Sequence, residues 1–384
     1  MNSIIRYDIV HDDMSRFAGR HNVFTTFGEV MIRETPADME RLERTRNVYL
    51  SPAGSEFTVA VGLSRLGIPS TYVTRLPENP SGWSLRNSAM ENGVNADYFV
   101  WAPKTELVGR MLYEMGRTPR KSSVCYQRRY SAASRLDQGM VDWKGALEGA
   151  RLFHTSGITF GLSTHSGYHI NYNQRAFLEA VQARSPDCLV GLDINYRSTL
   201  WGIGKARSIL GDIIGEHVDI LITTIPDMVG LFGIPFGSYS AGEALNGEMR
   251  NINNDDILQF SMMICRRFDV KIVAIPLRHP ESLETHHWES VVADHEGHFF
   301  RSPAVHPIML LDRLGGGDSW TAGFYYGLLT NGFNPQGMQK GLMVGDALAR
   351  YKQTMMFDLP IFEKSEIGRL MEDDLAGVGK QVDR

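Results

Sequence analysis

Residues 311 to 329 read LDRLGGGDSWTAGFYYGLL and place a glycine run and an acidic residue at the start of an apolar helix. Gly315, Gly316 and Gly317 precede Asp318, so small residues leave the unpaired backbone N–H groups of the helix N-terminus accessible. These groups and the helix dipole favour a phosphate or another developing anion. An ordinary N-cap explains an aspartate here equally well. The long apolar helix behind Asp318 favours an anion site.

A second polar cluster lies in GLDINYRSTLW, residues 191 to 201. Asp193, Asn195 and Arg197 follow a buried-looking strand, and open parallel sheets bind ligands at the C-terminal ends of their strands. A turn stabilised by Asp and Asn hydrogen bonds is the structural alternative. Arg197 favours binding, because a guanidinium group matches a planar carboxylate or phosphate.

Two further segments are weaker signals. PAGSEFTVAVGLSRLG, residues 52 to 67, is a glycine turn before a helix, which an ordinary helix start also explains. VCYQRRYSAAS, residues 124 to 134, reads as a strand. Strand alternation puts Tyr126 and Arg128 on one face and Arg129 on the other. The first two could grip one anion, unless that face is simply exposed to solvent.

The elements that must position these residues alternate along the chain. Strand-like and helix-like segments follow one another from VFTTFGEVMI through TVAVGLSRLG and STYVTRL, and again from RLFHTSGI to KIVAIPL. This alternation predicts an α/β fold with parallel strands and crossover helices. Between about Ala96 and Arg129 the helical period disappears, which predicts a small sheet projecting from the body. From Gly317 onward the chain is expected to be mostly helical.

Composition excludes several classes of protein. The chain has 384 residues, with 39 basic and 44 acidic side chains and a net charge of −5. This balance argues against a surface that coats nucleic acid or a membrane. The sequence shows no secretory signal and no apolar run near the roughly 18 residues that a membrane span needs. We therefore expect a soluble, cytoplasmic protein with neither nucleic acid nor membrane as partner. Cys125, Cys188 and Cys265 are widely spaced, so neither disulfides nor a zinc site are expected.

Absent motifs narrow the choice of enzyme. The sequence has no G-x-G-x-x-G after the first strand, no G-x-x-x-x-G-K-[ST], no H-E-x-x-H and no G-x-S-x-G. Dinucleotide dehydrogenases, P-loop NTPases, zinc proteases and α/β-hydrolases are therefore disfavoured.

Taken in order, the four segments resemble the ribokinase (PfkB) family of ATP-dependent sugar kinases, and most closely its keto-deoxygluconate kinase branch. The similarity runs from about Val23 to Met371. Its further marks are FGEVMIR, VTRLPENPSG, HTSGI and DINYRSTLW. The resemblance implies a three-layer α/β/α sandwich with a mainly parallel sheet and a small β-sheet lid. We expect a polar extension over residues 1–22 and one kinase domain over residues 23–384, with the lid formed near residues 33–53 and 96–135. The lid edge is a candidate surface for a homodimer or higher oligomer.

The same resemblance implies ATP and Mg²⁺ as cofactors and assigns roles to residues. Asp318 would be the general base, and Gly315, Gly316 and Gly317 would form an anion hole for the transferred phosphoryl group. Candidate substrate-binding residues are Gly54, Thr58, Tyr126, Arg128, Asn195, Arg197 and Asp358. Candidate nucleotide-binding residues are Thr224, Arg278, Gly315, Gly317 and Lys352, and Asp227 is an indirect metal residue. The implied reaction phosphorylates the 6-hydroxyl of 2-keto-3-deoxygluconate, or of a close sugar acid, to 2-keto-3-deoxy-6-phosphogluconate.

The sequence departs from the family pattern at several positions. Ala53-Gly54 replaces a glycine pair, Thr58 replaces an asparagine, and Thr224-Ile225-Pro226-Asp227 replaces an Asn-x-x-Glu/Asp segment. Two alternatives therefore stay open: a family kinase of another sugar or a nucleoside, and a catalytically weakened member that serves as a sensor or scaffold. Three positive or polar groups, Tyr126, Arg128 and Arg197, favour an acid, because a neutral sugar would leave buried guanidinium groups uncompensated.

Overall fold

The computed structural model describes residues 7–165, 167, 169–240, 242–243, 252–302 and 308–376. Within these ranges, no helix combines the length and the apolar character that crossing a membrane requires. The first six residues of the expected extension lie outside them.

The strands, in chain order, are β1 (Phe24–Phe27), β2 (Met31–Pro36), β3 (Val48–Ala53), β4 (Ser70–Val73), β5 (Arg75–Pro77), β6 (Val100–Ala102), β7 (Arg110–Glu114), β8 (Ser123–Gln127), β9 (Leu152–Ser156), β10 (Leu189–Asp193), β11 (Ile220–Ile222), β12 (Ile272–Pro280), β13 (Thr285–Asp294), β14 (Phe299–Arg301) and β15 (Ile308–Met309). The α-helices are α1 (Ser55–Arg65), α2 (Pro80–Glu91), α3 (Trp143–Ala146), α4 (Gly157–His165), α5 (Tyr172–Ala183), α6 (Ile203–His217), α7 (Ile225–Phe232), α8 (Asn254–Phe268), α9 (Gly316–Asn331), α10 (Pro335–Gln353) and α11 (Lys364–Ala376).

A central sheet runs in the order β14-β13-β12-β11-β10-β9-β1-β4, and β15 pairs with β13. The strands from β12 to β4 are all parallel, whereas β13 is antiparallel to β12 and to β14. Helices cover both faces, because parallel strands that are apolar on both sides must be buried on both sides. One hydrophobic cluster joins α1, α9, α10 and α11 to the sheet. A second cluster joins the helices from α4 through α8 to the sheet. The expected ribokinase-like α/β architecture is confirmed.

Helix α9 is almost completely buried and packs against its neighbours through small residues. A Cβ at Gly327 would overlap the backbone of Gly341 on α10, and one at Gly323 would come within 2.6 Å of Gly345. On the α1 side, a Cβ at Gly62 would lie 2.6 Å from the Cβ of Ala322. Glycines at these contacts allow the helix backbones to approach closely. The N-termini of α1 and α9 are thereby held beside one another.

A separate small sheet, called the lid sheet below, runs in the order β3-β2-β7-β8. Its own apolar contacts are few and centre on Met31, Ala53 and Met111. Residues 96–102 (ADYFVWA) fall within the range predicted for the projecting sheet. They instead contribute β6, which pairs with β5 in a two-stranded parallel ribbon. The lid sheet therefore uses less of residues 96–135 than expected.

The segment before β1 packs on helices of the same chain. Ile9 and Phe17 are buried in the cluster that contains α9 and α10. Asp12 accepts a 2.6 Å ion-pair contact from Lys340 and a short hydrogen bond from the hydroxyl of Tyr326. Polar composition suggested an extension, yet its few apolar side chains anchor it to the body.

Two helices that the strand-by-strand analysis did not predict follow strands directly. Helix α4 begins at Gly157, immediately after β9, and α7 begins at Ile225, after β11. Apolar residues cover most of α4, so it lacks the amphipathic period that distinguishes a surface helix from a buried strand. Helix α7 does bury one face, but its eight residues are fewer than the window of about 11 in which such a period is recognised.

A buried carboxylate joins α9, α10 and β13. One oxygen of Asp346 accepts hydrogen bonds from the Oγ of Ser290 at 2.5 Å and from the Nε1 atoms of Trp320 and Trp288 at 2.8 and 3.2 Å. Burial raises the pKa of Asp346 to about 6, because the hydrogen bonds offset only part of the desolvation. The ionised side chain therefore lowers the stability of the folded protein at neutral pH.

We expect Asp346→Asn to remove this dependence on pH, since an amide oxygen can accept the same hydrogen bonds without a charge. The folded wild type holds the Asp346 proton up to about pH 6, whereas the unfolded chain releases it near pH 4. As the pH rises from about 4 to about 6, the free energy of unfolding of the wild type should therefore fall by up to about 3 kcal/mol relative to that of the variant. Urea unfolding at several pH values measures this difference. Parallel curves for the two proteins would contradict the prediction.

Candidate active site

Asp318 lies in the first turn of α9, where the glycine run ends. The N-cap residue Gly315 has a φ of +75°, and a Cβ there would overlap the backbone carbonyl of Asp358. Only glycine meets both demands without strain. The first N–H groups of α9 have no intrahelical partner, and Gly315 has no side chain that could cap them. A row of backbone donors therefore begins the helix beside Asp318.

The start of α1 supplies a direct partner for Asp318. The hydroxyl of Ser55 donates to Oδ1 of Asp318 at 2.5 Å, and the Nδ2 of Asn195 lies 3.2 Å from the same hydroxyl oxygen. Gly54 precedes Ser55 and lies against the backbone of Glu29, where a Cβ would clash with the Glu29 carbonyl. Residues from three separate segments thus meet at one carboxylate.

The C-terminal ends of β10 and β11 add two more carboxylates. Asp193 ends β10, and its Oδ1 accepts the backbone N–H of Asn195 at 3.1 Å. Thr224 is the N-cap of α7, and its hydroxyl accepts the backbone N–H of Asp227 at 3.2 Å. Pro226 occupies the first turn of α7, a position that tolerates proline. The Thr-Ile-Pro-Asp departure therefore forms a regular capped helix start.

Burial and mutual repulsion raise the pKa values of these carboxylates. For Asp193 the causes are burial first, then the charges of Asp318 and Asp227, and Arg197 opposes them. Burial raises the pKa of Asp227 to about 6. Burial also raises the pKa of Asp318, while the hydrogen bond from Ser55 and the charge of Arg197 lower it. Perturbed values of this kind are typical of functional sites.

Two arginines, Arg197 and Arg278, lie close enough to this acidic cluster to interact with its charges, and Arg313 lies near Arg278. Arg197 follows β10 and interacts with Asp193, Asp227 and Asp318. Desolvation and the like charges of Arg197 and Arg313 lower the pKa of Arg278, which lies on β12. Guanidinium groups that repel one another would gain from an anion between them. The structure therefore brings together the predicted residues Asn195, Arg197, Asp227, Arg278 and Asp318.

Tyr126 and Arg128 belong to the lid side and have a different environment. Arg128 is buried and donates from Nε and Nη2 to Oε2 of Glu29, at 2.8 and 2.7 Å. Its guanidinium also lies 5.4 Å from the centre of the Tyr126 ring, and Ser131 donates to the other oxygen of Glu29. The charge of Arg128 is therefore already compensated. The sequence argument that a neutral sugar would leave this guanidinium unpaired is wrong for Arg128.

Asp358 and Lys352 lie in a buried ionic network behind the glycine run. Arg33, on β2, is fully buried and donates to Asp312 at 2.5 Å and to Asp358 at 2.7 Å. The Nζ of Lys352 donates to the backbone carbonyl of Asp312 at 3.1 Å. Lys352 also lowers the pKa of Asp318 electrostatically. In this structure Asp358 and Lys352 hold the segments on either side of Gly315 together.

Thr58 and Glu56 line the inner side of α1. Thr58 is buried, and among the described residues its hydroxyl has no hydrogen-bond partner. Glu56 is buried as well, with Oε1 accepting from Ser156 and Thr159 at 2.6 Å each. Burial raises the pKa of Glu56. An unpartnered hydroxyl at Thr58 suits a contact with a polar ligand.

Sequence reasoning missed Ser55, Glu56, Glu29 and Arg33 as parts of this site. Ser55 and Glu56 follow the glycine turn directly, so their position at a helix start was a usable signal. Glu29 and Arg33 could also have been noticed. They are charged residues in an otherwise apolar segment that includes Val30 and Ile32, and buried charged residues require partners. Their partners, however, lie about 100 to 325 residues away in sequence.

Asp227 and Asp193 are oxygen donors of the kind that Mg²⁺ binds, and Mg²⁺ in nucleotide sites often uses one or two carboxylates together with phosphates and water. Within the described residues, the one group of three ligand side chains close enough to share an ion is Asp294, Glu296 and His298, on the β13–β14 hairpin. The two strand-end carboxylates fit a Mg²⁺ ion that is held mainly by the nucleotide.

An acidic residue at a glycine-rich helix start, with Arg197 close by at the C-terminal edge of a parallel sheet, defines a site for anionic substrates. Residues 24–250 match the family model of the pfkB family carbohydrate kinases. The chain therefore belongs to the pfkB family and is a sugar kinase.

Several known proteins are similar to this chain over most of its length. The chain is 28% identical over 357 residues to a 2-dehydro-3-deoxygalactonokinase from Haloferax volcanii, covering 92% of this chain and 98% of that protein. A solved 2-dehydro-3-deoxygluconokinase from Thermotoga maritima is also 28% identical, with a TM-score of 0.80 over 92% of this chain and 100% of that one. A structure from Escherichia coli assigned to ribokinase II, in complex with ATP and Mg²⁺, shares the fold, with 16% identity and a TM-score of 0.69 over 91% of this chain and 99% of that one.

We expect Arg33→Met to destabilise the fold by about 3–5 kcal/mol, because Asp312 and Asp358 would remain buried without their main cation. Arg110→Met is the matched control, since Arg110 pairs with Glu34 beside it on the lid sheet but is half exposed. Its loss should cost under about 1 kcal/mol. Denaturant unfolding measures both values, and equal losses would contradict a special role for Arg33.

Proposed function

We propose that this sugar kinase transfers the γ-phosphoryl group of ATP to the terminal 6-hydroxyl of 2-keto-3-deoxygluconate or a close sugar acid. The products are 2-keto-3-deoxy-6-phosphogluconate and ADP. The observation that carries the proposal is the position of Asp318. Its carboxylate lies at the N-terminus of α9, held by Ser55 and faced by Arg197.

In this mechanism Asp318 accepts the proton of the sugar hydroxyl through its free oxygen. The hydroxyl oxygen forms a bond to the γ-phosphorus, while the bond from that phosphorus to the ADP oxygen breaks. The backbone N–H groups that begin α9 stabilise negative charge on the transferred group, as donors aimed at developing charge do in other enzymes. Phosphoryl transfer depends mainly on such positioning and charge stabilisation.

The nucleotide phosphates would be held by Arg278 and the first N–H groups of α9. Thr224 supports this side indirectly, since it caps the helix that carries Asp227. A Mg²⁺ ion near Asp227 and Asp193 would neutralise phosphate charge when bound. Desolvation is the main cause of the lowered pKa of Arg278, and the like charges of Arg197 and Arg313 add to it. A bound phosphate would offset that repulsion.

The sugar would lie between α1 and the lid sheet. Gly54, Thr58 and Asn195 border that region from the body, and Tyr126 and Arg128 border it from the lid. Asp358 would support the sugar site indirectly, because it pairs with Arg33 on β2 and its backbone lies against Gly315. The preference for an acid is supported by Arg197 and by two relatives with 28% identity, a 2-dehydro-3-deoxygalactonokinase and a 2-dehydro-3-deoxygluconokinase.

A neutral sugar is the second candidate substrate, and the Glu29–Arg128 pair is the observation that favours it. A compensated guanidinium needs no substrate carboxylate, and Glu29 itself can accept hydrogen bonds from hydroxyl groups. The non-catalytic alternative is weaker, because Thr224 and Pro226 form a regular capped helix start and the Gly315–Asp318 segment keeps an ordered geometry.

We also propose that the lid sheet contributes to a homo-oligomer. Its terminal strand β3 exposes Val48, Tyr49 and Leu50, with Leu50 65% exposed. An apolar strand at a sheet edge offers unpaired backbone groups to a second copy of the chain.

The substrate assignment is tested by a panel of sugars with ATP and Mg²⁺, run on the wild type and on Asp318→Asn. We expect turnover of 2-keto-3-deoxy sugar acids and a loss of kcat of about 10²–10⁴ in the variant, because the amide cannot accept the proton. Turnover of neutral sugars alone would contradict the acid assignment. Full activity of Asp318→Asn would contradict the role of Asp318.

Arg197→Leu tests how the acid is recognised. The variant should raise KM for the sugar acid by roughly tenfold to a hundredfold, since a charge-assisted hydrogen bond is worth about 1.5–3 kcal/mol. A substrate analogue with an alcohol in place of the carboxylate serves as the control and should lose little. Steady-state kinetics on both compounds measures the split, and equal losses would remove Arg197 from the carboxylate site.

A further inference from the structure

We infer that Ser55 is a positioning residue for the Asp318 carboxylate, and that Asn195 sets the direction in which the Ser55 hydroxyl donates. The inference rests on the proposed role of Asp318 as the group that accepts the sugar proton. It adds Ser55 to the reaction and gives Asn195 a task that is separate from any contact with the sugar.

The hydrogen-bond inventory of the three side chains leaves one arrangement. An ionised carboxylate only accepts hydrogen bonds, so the 2.5 Å contact between Ser55 Oγ and Asp318 Oδ1 uses the single hydroxyl proton of Ser55. Ser55 can then only accept from its other neighbour. The group of Asn195 that lies 3.2 Å away must therefore be the NH₂ group, Nδ2.

Each partner is fixed by its own element. Ser55 opens α1, which packs on α9 through Gly62 and Ala322. Asn195 has a φ of +39°, a left-handed conformation that asparagine tolerates well. Its backbone N–H is held by Asp193. The chain from Asn195 through Ser55 to Asp318 therefore links the end of β10 to the N-termini of both helices.

Two chemical consequences follow for Asp318. The hydrogen bond occupies Oδ1, so Oδ2 is the oxygen left to receive a substrate proton. The bond also favours the ionised form of Asp318 and lowers its pKa against the opposing effect of burial. A base that must be ionised before it can act gains activity at the acidic end of the pH range from such a donor.

The experiment compares Ser55→Ala, Ser55→Thr and Asn195→Asp by the pH dependence of kcat/KM with ATP, Mg²⁺ and whichever sugar the wild type turns over. Ser55→Ala should lower kcat by roughly tenfold to a hundredfold, the equivalent of one hydrogen bond to a charged group. It should also move the acidic limb of the profile to higher pH, since the pKa of Asp318 rises without the donor. Ser55→Thr keeps a hydroxyl and should retain the wild-type limb.

Asn195→Asp is the sharper variant, because an ionised aspartate cannot donate and would compete for the Ser55 proton. It should shift the acidic limb in the same direction as Ser55→Ala, although Ser55 is still present. The added charge alone also raises the pKa of Asp318. The double variant Ser55→Ala/Asn195→Asp, compared with Ser55→Ala, measures that part, because it has no Ser55 hydroxyl. KM for ATP should stay unchanged in all of these variants, and thermal unfolding checks that each is folded.

An unshifted acidic limb in Ser55→Ala overturns the inference, whatever happens to kcat, because a merely structural role would lower the rate without moving the limb. If Asn195→Asp shifts the limb no further when Ser55 is present than when it is alanine, the part assigned to Asn195 is overturned. Failure of the underlying proposal looks different. In that case Asp318→Asn retains activity, and the limb does not depend on Asp318.

Discussion

The close packing of the buried helix α9 is the constraint on which the rest of the site depends. Glycines on α9 and α10 bring those two helix backbones into contact, and Gly62 on α1 leaves only the methyl group of Ala322 between α1 and α9. A helix held this firmly has an N-terminus with a fixed position and direction. Asp318 and the N–H groups beside it therefore meet the strand ends as part of the rigid body. Positioning of this kind is what phosphoryl transfer mainly requires of a protein.

Charge is arranged in two separate groups around that N-terminus. One group is the acidic cluster of Asp193, Asp227 and Asp318. Burial raises the pKa of each of these carboxylates, repulsion from the other two raises that of Asp193 further, and Arg197 is the common neighbour of all three. The lid side is internally balanced, since Arg128 and Glu29 neutralise each other. The overall net charge of −5 is therefore a poor guide to the local potential. Anionic ligands would be met by the arginines at the strand ends.

The sequence was sufficient to predict the alternating α/β architecture, the small separate sheet, the family and the segments that meet at the site. Periodicity and turn residues are local signals, and they predicted strands at β1 and β10 and a helix that overlaps most of α1. The same signals failed for α4, whose mostly apolar turns lack a helical period, and for α7, which is too short for its period to be recognised. The partners of Arg128 and Asp358 could not be predicted, because ion pairs over about 100 to 325 residues depend on the completed fold. Ser55 was visible as a helix start, but its contact with Asp318 needed the packing of α1 on α9.

The buried ion pairs of Arg33 have a mechanical meaning for the lid sheet. Arg33 lies on β2 and joins it to Asp312 and Asp358, which flank the glycine run in space. Strand β2 therefore moves with the body, although it belongs to the lid sheet by its strand pairing. Any swing of that sheet is therefore restrained at β2, and the strands left to move are β3 on one side of it and β7 and β8 on the other. A displacement large enough to carry β2 as well would first have to pull a guanidinium from between two carboxylates, so the same residue that anchors the sheet also limits its range.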